Sequence, residues 1–355
     1  MGLFDLIERQ NDLIMAFDRA KKEGKVFIYG NGWGRENVEK VLQKYGRKSD
    51  GVLVGRKYFE EKEGLGCFED YCEESREKFS IIIGIVYFDT TQLDSYREKL
   101  YSILYYDAFF PFENDITIDY PWFLDNYERI NRVYSSLEDE FSKATLVGYI
   151  NQRITLNYKW LKNVKSLDRQ YFEKGIIDFG SKEYLVDCGA YDGDSASDFI
   201  EALEEQGIET YERIVSFEPD RENYQKMIGR GIKKHLCICK GVAARKQTLS
   251  FSSGQGTSSR FGDGEDLMEI TTIDEELSNS PITMIKMDIE GFELQALMGA
   301  REAIKALHPK LAICVYHKKE DLFDIPEYIR AIDNSYRFYI RAYENRTTEL
   351  VLYAV

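Results

Sequence analysis

The chain has 355 residues, of which 43% are hydrophobic and 14% aromatic, which is enough for more than one domain with a buried core. Its 62 acidic and 47 basic residues give a net charge of -15, which disfavours binding to nucleic-acid phosphates and to anionic lipid surfaces. No apolar run approaches the ~18 residues of a membrane span, the N-terminus does not resemble a signal peptide, and the six cysteines lack zinc-ligand spacing. We therefore expect a cytoplasmic protein with reduced thiols, no nucleic-acid partner and no membrane partner.

Residues 1–92 predict a small N-terminal α/β domain. Apolar periodicity indicates a helix over 1–24, a strand over Lys25–Tyr29, a helix that ends near Tyr45, and strands over Gly51–Gly55 and Phe79–Phe88.

A glycine turn follows the first strand of this domain. Gly30, Gly32 and Gly34 have GxGxG spacing rather than the GxGxxG spacing of a dinucleotide site, and no acidic residue closes the second strand. We therefore favour a structural turn over a nucleotide site here.

Residues 93–178 predict a helix-rich connecting region. One helix has an apolar face that would pack against a domain, formed by Ile130, Val133, Tyr134, Leu137 and Phe141. Aromatic residues are dense over 101–112, where packing is favoured over an acceptor pocket.

Residues 179–355 predict a third segment in which strands alternate with helices, as in a parallel sheet covered by helices. The predicted strands are Tyr184–Asp187, Arg213–Phe217, Lys234–Cys239, Ile282–Met287 and Leu311–Tyr316. The last two strands, Tyr336–Tyr343 and Glu349–Ala354, are expected to form an antiparallel hairpin at the edge of the sheet. Such a hairpin favours a methyltransferase sheet over a dinucleotide-binding sheet.

A second glycine turn follows the first strand of this segment, which ends in Asp187. Gly189 and Gly193 remove Cβ atoms where the backbone must approach a ligand closely, and Asp194 or Ser195 can cap the next helix. The turn predicts a nucleoside site only in combination with the residues at the neighbouring strand ends.

Acidic residues and a histidine follow those neighbouring strands. Glu218 ends the second strand, where a carboxylate can accept hydrogen bonds from two ribose hydroxyls, while Asp220 is expected to cap the next helix. Asp288 and Glu290 follow the fourth strand, so one can face the cleft while the other caps a helix or faces solvent. His317 follows the fifth strand and would reach the same rim.

His317 is the candidate general base, because an unperturbed imidazole titrates near neutral pH, and Asp288 could orient it or the acceptor. A structural, hydrogen-bonded histidine is an equally weighted alternative. A divalent metal on Asp288, Glu290 and another acid is conceivable, but the sequence shows no full ligand set, so we expect no metal.

Motifs in this chain order resemble the FkbM-type family of S-adenosylmethionine-dependent methyltransferases: VDCGAYDGD, FEPD, GVAA, IKMDIEGFE and YHKKEDL, preceded by DEFSKATLVGYINQRIT at 139–155. The resemblance covers residues ~170–355 and implies a class I methyltransferase fold, which is Rossmann-like α/β. It also implies S-adenosylmethionine as cofactor. The residues implied to surround its amino-acid part are Asp187, Gly189, Ala190, Asp192, Gly193 and Ser195.

The same resemblance implies the rest of the cofactor site. Glu218 and Pro219 would lie at the ribose, and Asn223, Val242 and Ala243 at the adenine. Asp288 and Glu290 would lie between the cofactor and the acceptor. Residues 252–266, rich in glycine and serine, are a candidate acceptor lid.

The family's common substrates imply O-methylation of a hydroxyl on a sugar or glycan precursor, by a chain that could form homo-oligomers. Two alternatives remain open. One is a non-catalytic cofactor-binding or scaffold protein of glycan assembly, which would give no methylated product. The other is a nicotinamide-dependent oxidoreductase using the turn at 30–34, which would change the absorbance of the nicotinamide.

Overall fold

The fold is described from a computed structural model, which covers residues 2–62, 64–108, 118–252, 260–261 and 266–355. Most of the proposed lid at 252–266 and the aromatic residues 109–112 lie outside the described residues, so those two predictions are not tested. No helix in the part of the chain that is described is both long and apolar enough to cross a membrane. All six cysteines are free thiols.

Packing divides the chain into two compact units. Unit 1 contains Met1–Tyr127, Val147–Val164 and Glu344–Thr348. Unit 2 contains Glu128–Leu146, Lys165–Tyr343 and Glu349–Val355. The division into three segments at residues 92 and 178 stays a prediction, because compact packing does not show which segments fold alone.

Unit 1 is built on a parallel five-stranded sheet with the spatial order β3-β2-β1-β4-β5. Its strands are β1 Val26–Tyr29, β2 Val52–Val54, β3 Leu65–Cys67, β4 Phe79–Ile83 and β5 Leu100–Leu104. The helices up to residue 162 are α1 Asp12–Glu23, α2 Trp33–Lys44, α3 Phe68–Glu74, α4 Tyr120–Asp125, α5 Tyr127–Ser136, α6 Glu140–Thr155 and α7 Lys159–Lys162. The boundary between the two units falls inside α5 and again inside α6. Short 3-10 helices cover Leu3–Leu6, Arg56–Tyr58 and Thr90–Lys99.

The sequence predicted β1, α2 and β2 of this unit to within a few residues, but it missed two strands. β3 has only three residues and contains a glycine, so it shows no strand periodicity. β5 lies in the segment that was predicted to be rich in helices. The strand predicted over Phe79–Phe88 ends at Ile83, because a loop begins at Gly84.

The helix predicted to carry the apolar face from Ile130 to Phe141 is two helices. α5 ends at Ser136, and the Asp139 carboxylate accepts a hydrogen bond of 2.6 Å from the N–H of Ser142, which caps the start of α6. Ile130, Val133 and Leu137 are buried, whereas Phe141 is partly exposed. The apolar periodicity was therefore a correct indication of burial but not of a continuous helix.

Unit 2 is built on a seven-stranded sheet with the spatial order β15-β16-β14-β13-β6-β7-β8. Its strands are β6 Tyr184–Cys188, β7 Arg213–Phe217, β8 His235–Ile238, β13 Met284–Met287, β14 Lys310–Cys314, β15 Phe338–Ala342 and β16 Leu350–Ala354. The five strands from β14 to β8 are parallel, and β15 and β16 pair antiparallel at the edge. This architecture confirms the prediction of a class I methyltransferase sheet closed by an antiparallel hairpin.

Helices and a second, smaller sheet complete unit 2. The helices are α8 Asp194–Glu205, α9 Arg221–Gly229, α10 Ile273–Glu276, α11 Glu293–Met298, α12 Arg301–Leu307 and α13 Asp321–Ile332. The second sheet has the order β11-β10-β12-β9, with β9 Gly241–Val242, β10 Gln247–Ser252, β11 Arg260–Phe261 and β12 Asp266–Thr271. β6 and β13 are buried over their whole length, so only their ends can present side chains to a ligand.

Candidate active site

Four neighbouring parallel strands of unit 2 end at one edge of the sheet. In the order β14-β13-β6-β7, they lead into His317, Asp288, Gly189 and Glu218. The carboxyl ends of parallel strands form the usual ligand-binding edge of such a sheet. The structure therefore brings these four predicted site residues to a common rim.

Gly189 is required by the close approach of two strand ends. Its φ is +76°, and a Cβ atom added there would lie 1.9 Å from the carbonyl oxygen of Asp288. No side chain fits this space, so the turn after β6 and the residue after β13 are held in contact through their backbones.

Gly193 is the N-cap of α8, with a φ of +85°. The prediction that Asp194 or Ser195 occupies the cap is therefore wrong, because the left-handed backbone at the cap favours glycine. Asp194 is the first helical residue, and its Oδ1 accepts a hydrogen bond of 2.7 Å from the N–H of Ser195. The N-cap provides no side-chain oxygen for the first N–H groups of α8, and these groups suit a ligand carboxylate.

Asp187 lies inside the sheet and not on its rim. Its side chain is fully buried, with Oδ1 3.0 Å from Nζ of Lys286 and Oδ2 accepting a hydrogen bond of 3.4 Å from the Ser216 hydroxyl. Lys286 also donates a hydrogen bond of 2.8 Å to the carbonyl of Gly189. Burial lowers the pKa of Lys286, but the charges of Asp187 and Asp288 outweigh burial and raise it, so the lysine is charged. Asp187 thus holds the glycine turn through Lys286, and its contact with the cofactor stays a prediction.

Glu218 occupies the position expected of a ribose-binding acid. Its side chain is 7% exposed, and its two oxygens accept hydrogen bonds of 2.8 Å each from the N–H groups of Tyr191 and Asp220. Burial raises the pKa of Glu218 to about 7, although the two N–H groups oppose this shift. The carboxylate is therefore fixed in direction and retains lone pairs for a further donor.

The other predicted cofactor residues belong to these two turns, to the start of α9, or to the end of β9. Asp220 caps α9 by accepting hydrogen bonds from the N–H groups of Glu222 and Asn223, as predicted. Asp192 forms an ion pair of 2.6 Å with Arg230. The remaining members are Ala190, Val242 and Ala243, which are buried, and Pro219, whose carbonyl faces the Cys239 thiol.

His317 is enclosed by three carboxylates. Its side chain is 1% exposed; Nδ1 lies 2.7 Å from Oε1 of Glu293, and Nε2 lies 3.4 Å from Oδ1 of Asp288 and 3.7 Å from Oε2 of Glu290. Burial lowers the pKa of His317, but the charge and hydrogen bond of Glu293 and the charges of Asp288 and Glu290 outweigh burial and raise the pKa to about 10. The prediction that this imidazole titrates near neutral pH is therefore wrong.

Asp288 is held by two tyrosines as well as by His317. The hydroxyl of Tyr171 donates a hydrogen bond of 2.8 Å to Oδ2, and the hydroxyl of Tyr316 donates one of 3.3 Å to Oδ1. Burial raises the pKa of Asp288, but His317, Lys286 and the Tyr171 hydroxyl outweigh burial and lower it. Asp288 is consequently an ionised carboxylate with a fixed orientation.

Glu290 and Glu293 have different surroundings. Glu290 has a φ of +55°. Its side chain is 37% exposed, against 23% for Asp288, so Glu290 is the most exposed acid around His317. Burial raises the pKa of Glu290 to about 7, against the opposing charge of His317. Glu293, the first residue of α11, is fully buried, and its Oε1 also accepts a hydrogen bond of 2.9 Å from the N–H of Ile289.

Sequence reasoning missed several residues of this site. Lys286 lies within a strand and Glu293 begins a helix, and a polar residue at either position carries no signal of its role until the register is known. Tyr171 lies more than a hundred residues before Asp288 in the chain, and its left-handed φ of +67° cannot be read from the sequence. Tyr316 is adjacent to His317 and reads as the last apolar residue of a strand.

Comparison with known proteins supports the resemblance to FkbM-type methyltransferases. Residues 187–338 match the family model described as the methyltransferase FkbM domain. The whole chain is similar to the crystal structure of the methyltransferase FkbM from Methylobacillus flagellatus KT, with a TM-score of 0.72 and 22% identity over 99% of this chain and 95% of that chain. That likeness shows the fold, and the family match confirms the resemblance found in the motifs.

A second solved structure, of an rRNA methylase from Streptococcus thermophilus, matches 53% of this chain and 96% of that chain at 16% identity, with a TM-score of 0.33 that is too low to support an inference. A search of the curated proteins finds no match.

Proposed function

We propose that this chain, a methyltransferase with an FkbM domain over residues 187–338, transfers a methyl group from S-adenosylmethionine to a hydroxyl of a sugar or glycan precursor. One observation carries the proposal. The edge of the unit 2 sheet combines a glycine turn, a fixed ribose-type carboxylate at Glu218, and a group of proton-accepting side chains at Asp288, Glu290 and His317.

The residues present fit S-adenosylmethionine, which when bound supplies a transferable methyl group on a positively charged sulfur. Glu218 would accept hydrogen bonds from the ribose hydroxyls. The first N–H groups of α8, apart from that of Ser195, which already donates to Asp194, would hold the carboxylate of the cofactor's amino-acid part. The buried side chains of Val242 and Ala243 would provide an apolar edge for the adenine. Because Gly189 has no Cβ atom, the backbone of its turn can pass close to the backbone of Asp288, which leaves space for the cofactor above the strand ends.

The acceptor must lose a proton when its oxygen forms a bond to carbon. Asp288 is ionised and held in one direction by Tyr171 and Tyr316, so it is suited to accept a hydrogen bond from an acceptor hydroxyl and to align it. Glu290, with a pKa near 7 and an exposed side chain, is suited to receive the proton and pass it to water. His317 is charged at neutral pH, so its role as a free base, inferred from the sequence, does not fit the isolated protein.

The class of acceptor is supported by the chemistry of the rim. A sugar presents neighbouring hydroxyl groups, and the carboxylates of Asp288 and Glu290 beside His317 offer acceptors for them. An anionic group at the position to be methylated would instead be repelled by Asp288 and Glu290.

The test is transfer of an isotopic label. Purified protein is incubated with S-adenosylmethionine labelled in its methyl group and with a panel of neutral glycans and nucleotide sugars, and products are analysed by mass spectrometry. We expect label on a hydroxyl oxygen of at least one acceptor, and loss of that label in Asp288→Asn. Binding of the cofactor with no labelled product would favour the scaffold alternative, and oxidation of a substrate with nicotinamide reduction would favour the oxidoreductase.

The other expectations drawn from the sequence remain proposals, and the label-transfer experiment does not test them. They are a cytoplasmic location, homo-oligomer formation, and the lack of nucleic-acid and membrane partners. The net charge of -15 supports the last of these.

A further inference from the structure

The group around His317 has the arrangement of a metal site. One potential ligand atom from each of Asp288, Glu293 and His317 lies within 4.8 Å of the other two. All three residues are on structural elements that the sheet fixes: the ends of β13 and β14 and the first turn of α11. The group therefore needs no large rearrangement to surround an ion.

The two imidazole nitrogens have different partners. Nδ1 is held at 2.7 Å by the buried Glu293, while Nε2 points to Asp288 at 3.4 Å and Glu290 at 3.7 Å. A histidine that binds a metal through one nitrogen usually donates the other N–H to a carboxylate, which fixes the ring. With metal–ligand bonds of about 2.0–2.2 Å, neighbouring ligand atoms lie roughly 3.0–3.5 Å apart. The spacing around Nε2 is close to these values.

An independent observation is the state of Glu293. Its side chain is fully buried, and its second oxygen, Oε2, has no hydrogen-bond partner. A buried oxygen without a hydrogen-bond partner is costly, and a positive charge placed beside it offsets that cost. Asp321, also buried, adds a further acid close to Glu293, and Lys286 is already paired with Asp187. The group thus contains more acidic than basic side chains, even with the nearby Lys318 counted.

We propose, contrary to our expectation from the sequence, that one divalent first-row cation binds to Asp288, to Nε2 of His317 and to Glu290, whose Oε2 lies 3.7 Å from Nε2. Glu293, the third member of the group, would fix the imidazole through Nδ1. One nitrogen and two carboxylates suit Mn²⁺ or Zn²⁺ better than Mg²⁺, which prefers oxygen ligands alone. Three protein ligands leave coordination positions for solvent or for neighbouring hydroxyls of an acceptor.

A catalytic role for this ion rests on the proposed function, whereas its binding does not. A divalent cation lowers the pKa of an oxygen that it binds, which would help an acceptor hydroxyl to release its proton to water. It would also take the place of the proton on Nε2, so His317 would serve as a ligand instead of a base. The rival account is a metal-free network in which a charged imidazole alone offsets the acids.

The experiment uses the full chain, freed of metal and without S-adenosylmethionine or acceptor. Mn²⁺ alone is titrated and followed by electron paramagnetic resonance. We expect one bound ion per chain, with a coupling to an imidazole nitrogen in the wild-type spectrum. Asp288→Asn and His317→Gln should each weaken binding at least tenfold, and Glu293→Gln should weaken it by about 10- to 100-fold.

The matched control is His308→Asn. His308 also has a carboxylate partner, with Nδ1 2.9 Å from Oδ2 of Asp333, but the pair is on the surface and no further acid is paired with it in the described structure. This variant should bind Mn²⁺ like the wild type. Circular dichroism shows whether each variant is folded, and the nitrogen coupling in the wild type tests the site even if a variant is not.

The inference would be overturned if the wild type binds no Mn²⁺, if the bound ion shows no imidazole coupling, or if folded Asp288→Asn and His317→Gln bind as tightly as the wild type. These outcomes leave methyl transfer untouched, and a failure of methyl transfer would leave a measured metal site in place.

Discussion

Each unit contains a strand that leads through a glycine turn into a helix, but the residues at the ends of the neighbouring strands differ between the units. In unit 1 the strand β1 leads into Gly30, and in unit 2 the strand β6 leads into Gly189, each followed by a helix. The strands on either side differ. In unit 1, β2 and β4 lead into Gly55 and Gly84, whereas in unit 2, β7 and β13 lead into Glu218 and Asp288.

This comparison shows that a glycine turn is first a packing requirement. A Cβ atom at Gly30 would lie 2.7 Å from Cγ1 of Ile85 and 3.1 Å from the carbonyl oxygen of Gly84, so unit 1 needs glycine there without any ligand. A Cβ atom at Gly189 would meet the backbone of Asp288. The chemistry of a site is carried by the residues at the adjacent strand ends, and only unit 2 has acids there. The finding supports our preference for a structural turn at Gly30.

The largest expected effect comes from adding a methyl group to each turn. Gly189→Ala should lower the free energy of unfolding by about 4 kcal/mol or more, because the clash is with backbone and φ is positive. Gly30→Ala should cost about 2–3 kcal/mol, because the Ile85 side chain can move. Gly207→Ala, with a φ of +75° and open space around it, is the control and should cost about 1–2 kcal/mol. Urea denaturation measures all three, and equal losses at Gly189 and Gly207 would contradict the packing argument.

The next effect concerns the buried charge under the unit 2 turn. Asp187→Ala leaves Lys286 charged and buried without its partner, so we expect a loss of about 3–5 kcal/mol in the free energy of unfolding. Asp192→Ala, which removes a partly exposed pair with Arg230 in the same turn, should cost less than about 1 kcal/mol. If Asp187→Ala is as stable as Asp192→Ala, the account of Lys286 is wrong.

A smaller effect is the pH dependence caused by Glu218. Burial raises the folded-state pKa of Glu218 to about 7 from about 4.5 in the unfolded chain, so between these values the folded protein holds a proton that the unfolded chain releases. Stability from this group is therefore present below pH ~4.5 and is lost as the pH rises to ~7. Asp220 and Lys286 are the other charged groups that act on it.

Glu218→Gln removes this dependence. Relative to the wild type, the variant should gain about 1–3 kcal/mol in the free energy of unfolding between pH 5 and pH 8. The comparison of denaturation curves at the two pH values checks it, and a constant difference between the proteins would show that the carboxylate titrates at an ordinary pKa.

The sequence predicted the parts of the fold that depend on local pattern. The strands from Tyr184 to Met287 and the terminal hairpin were found because their apolar runs are bounded by turns, and the strand ends Glu218, Asp288 and His317 followed from the parallel order. What it could not show depends on contacts between distant segments. The raised pKa of His317 requires Glu293 to lie beneath it, and the enclosure of Asp187 requires its register with Lys286.

The central claim is that the cofactor binds at the Gly189 turn of unit 2, where acids follow the neighbouring strands, and not at the Gly30 turn of unit 1, where glycines follow them. Calorimetric titration of S-adenosylmethionine into the wild type, Glu218→Gln and Arg35→Gln tests it most directly, since Arg35 lies in the first turn of α2 after the unit 1 turn. The account predicts one bound molecule per chain, binding weakened about 10- to 100-fold in Glu218→Gln, and unchanged binding in Arg35→Gln. Wild-type affinity in Glu218→Gln together with lost affinity in Arg35→Gln would contradict it.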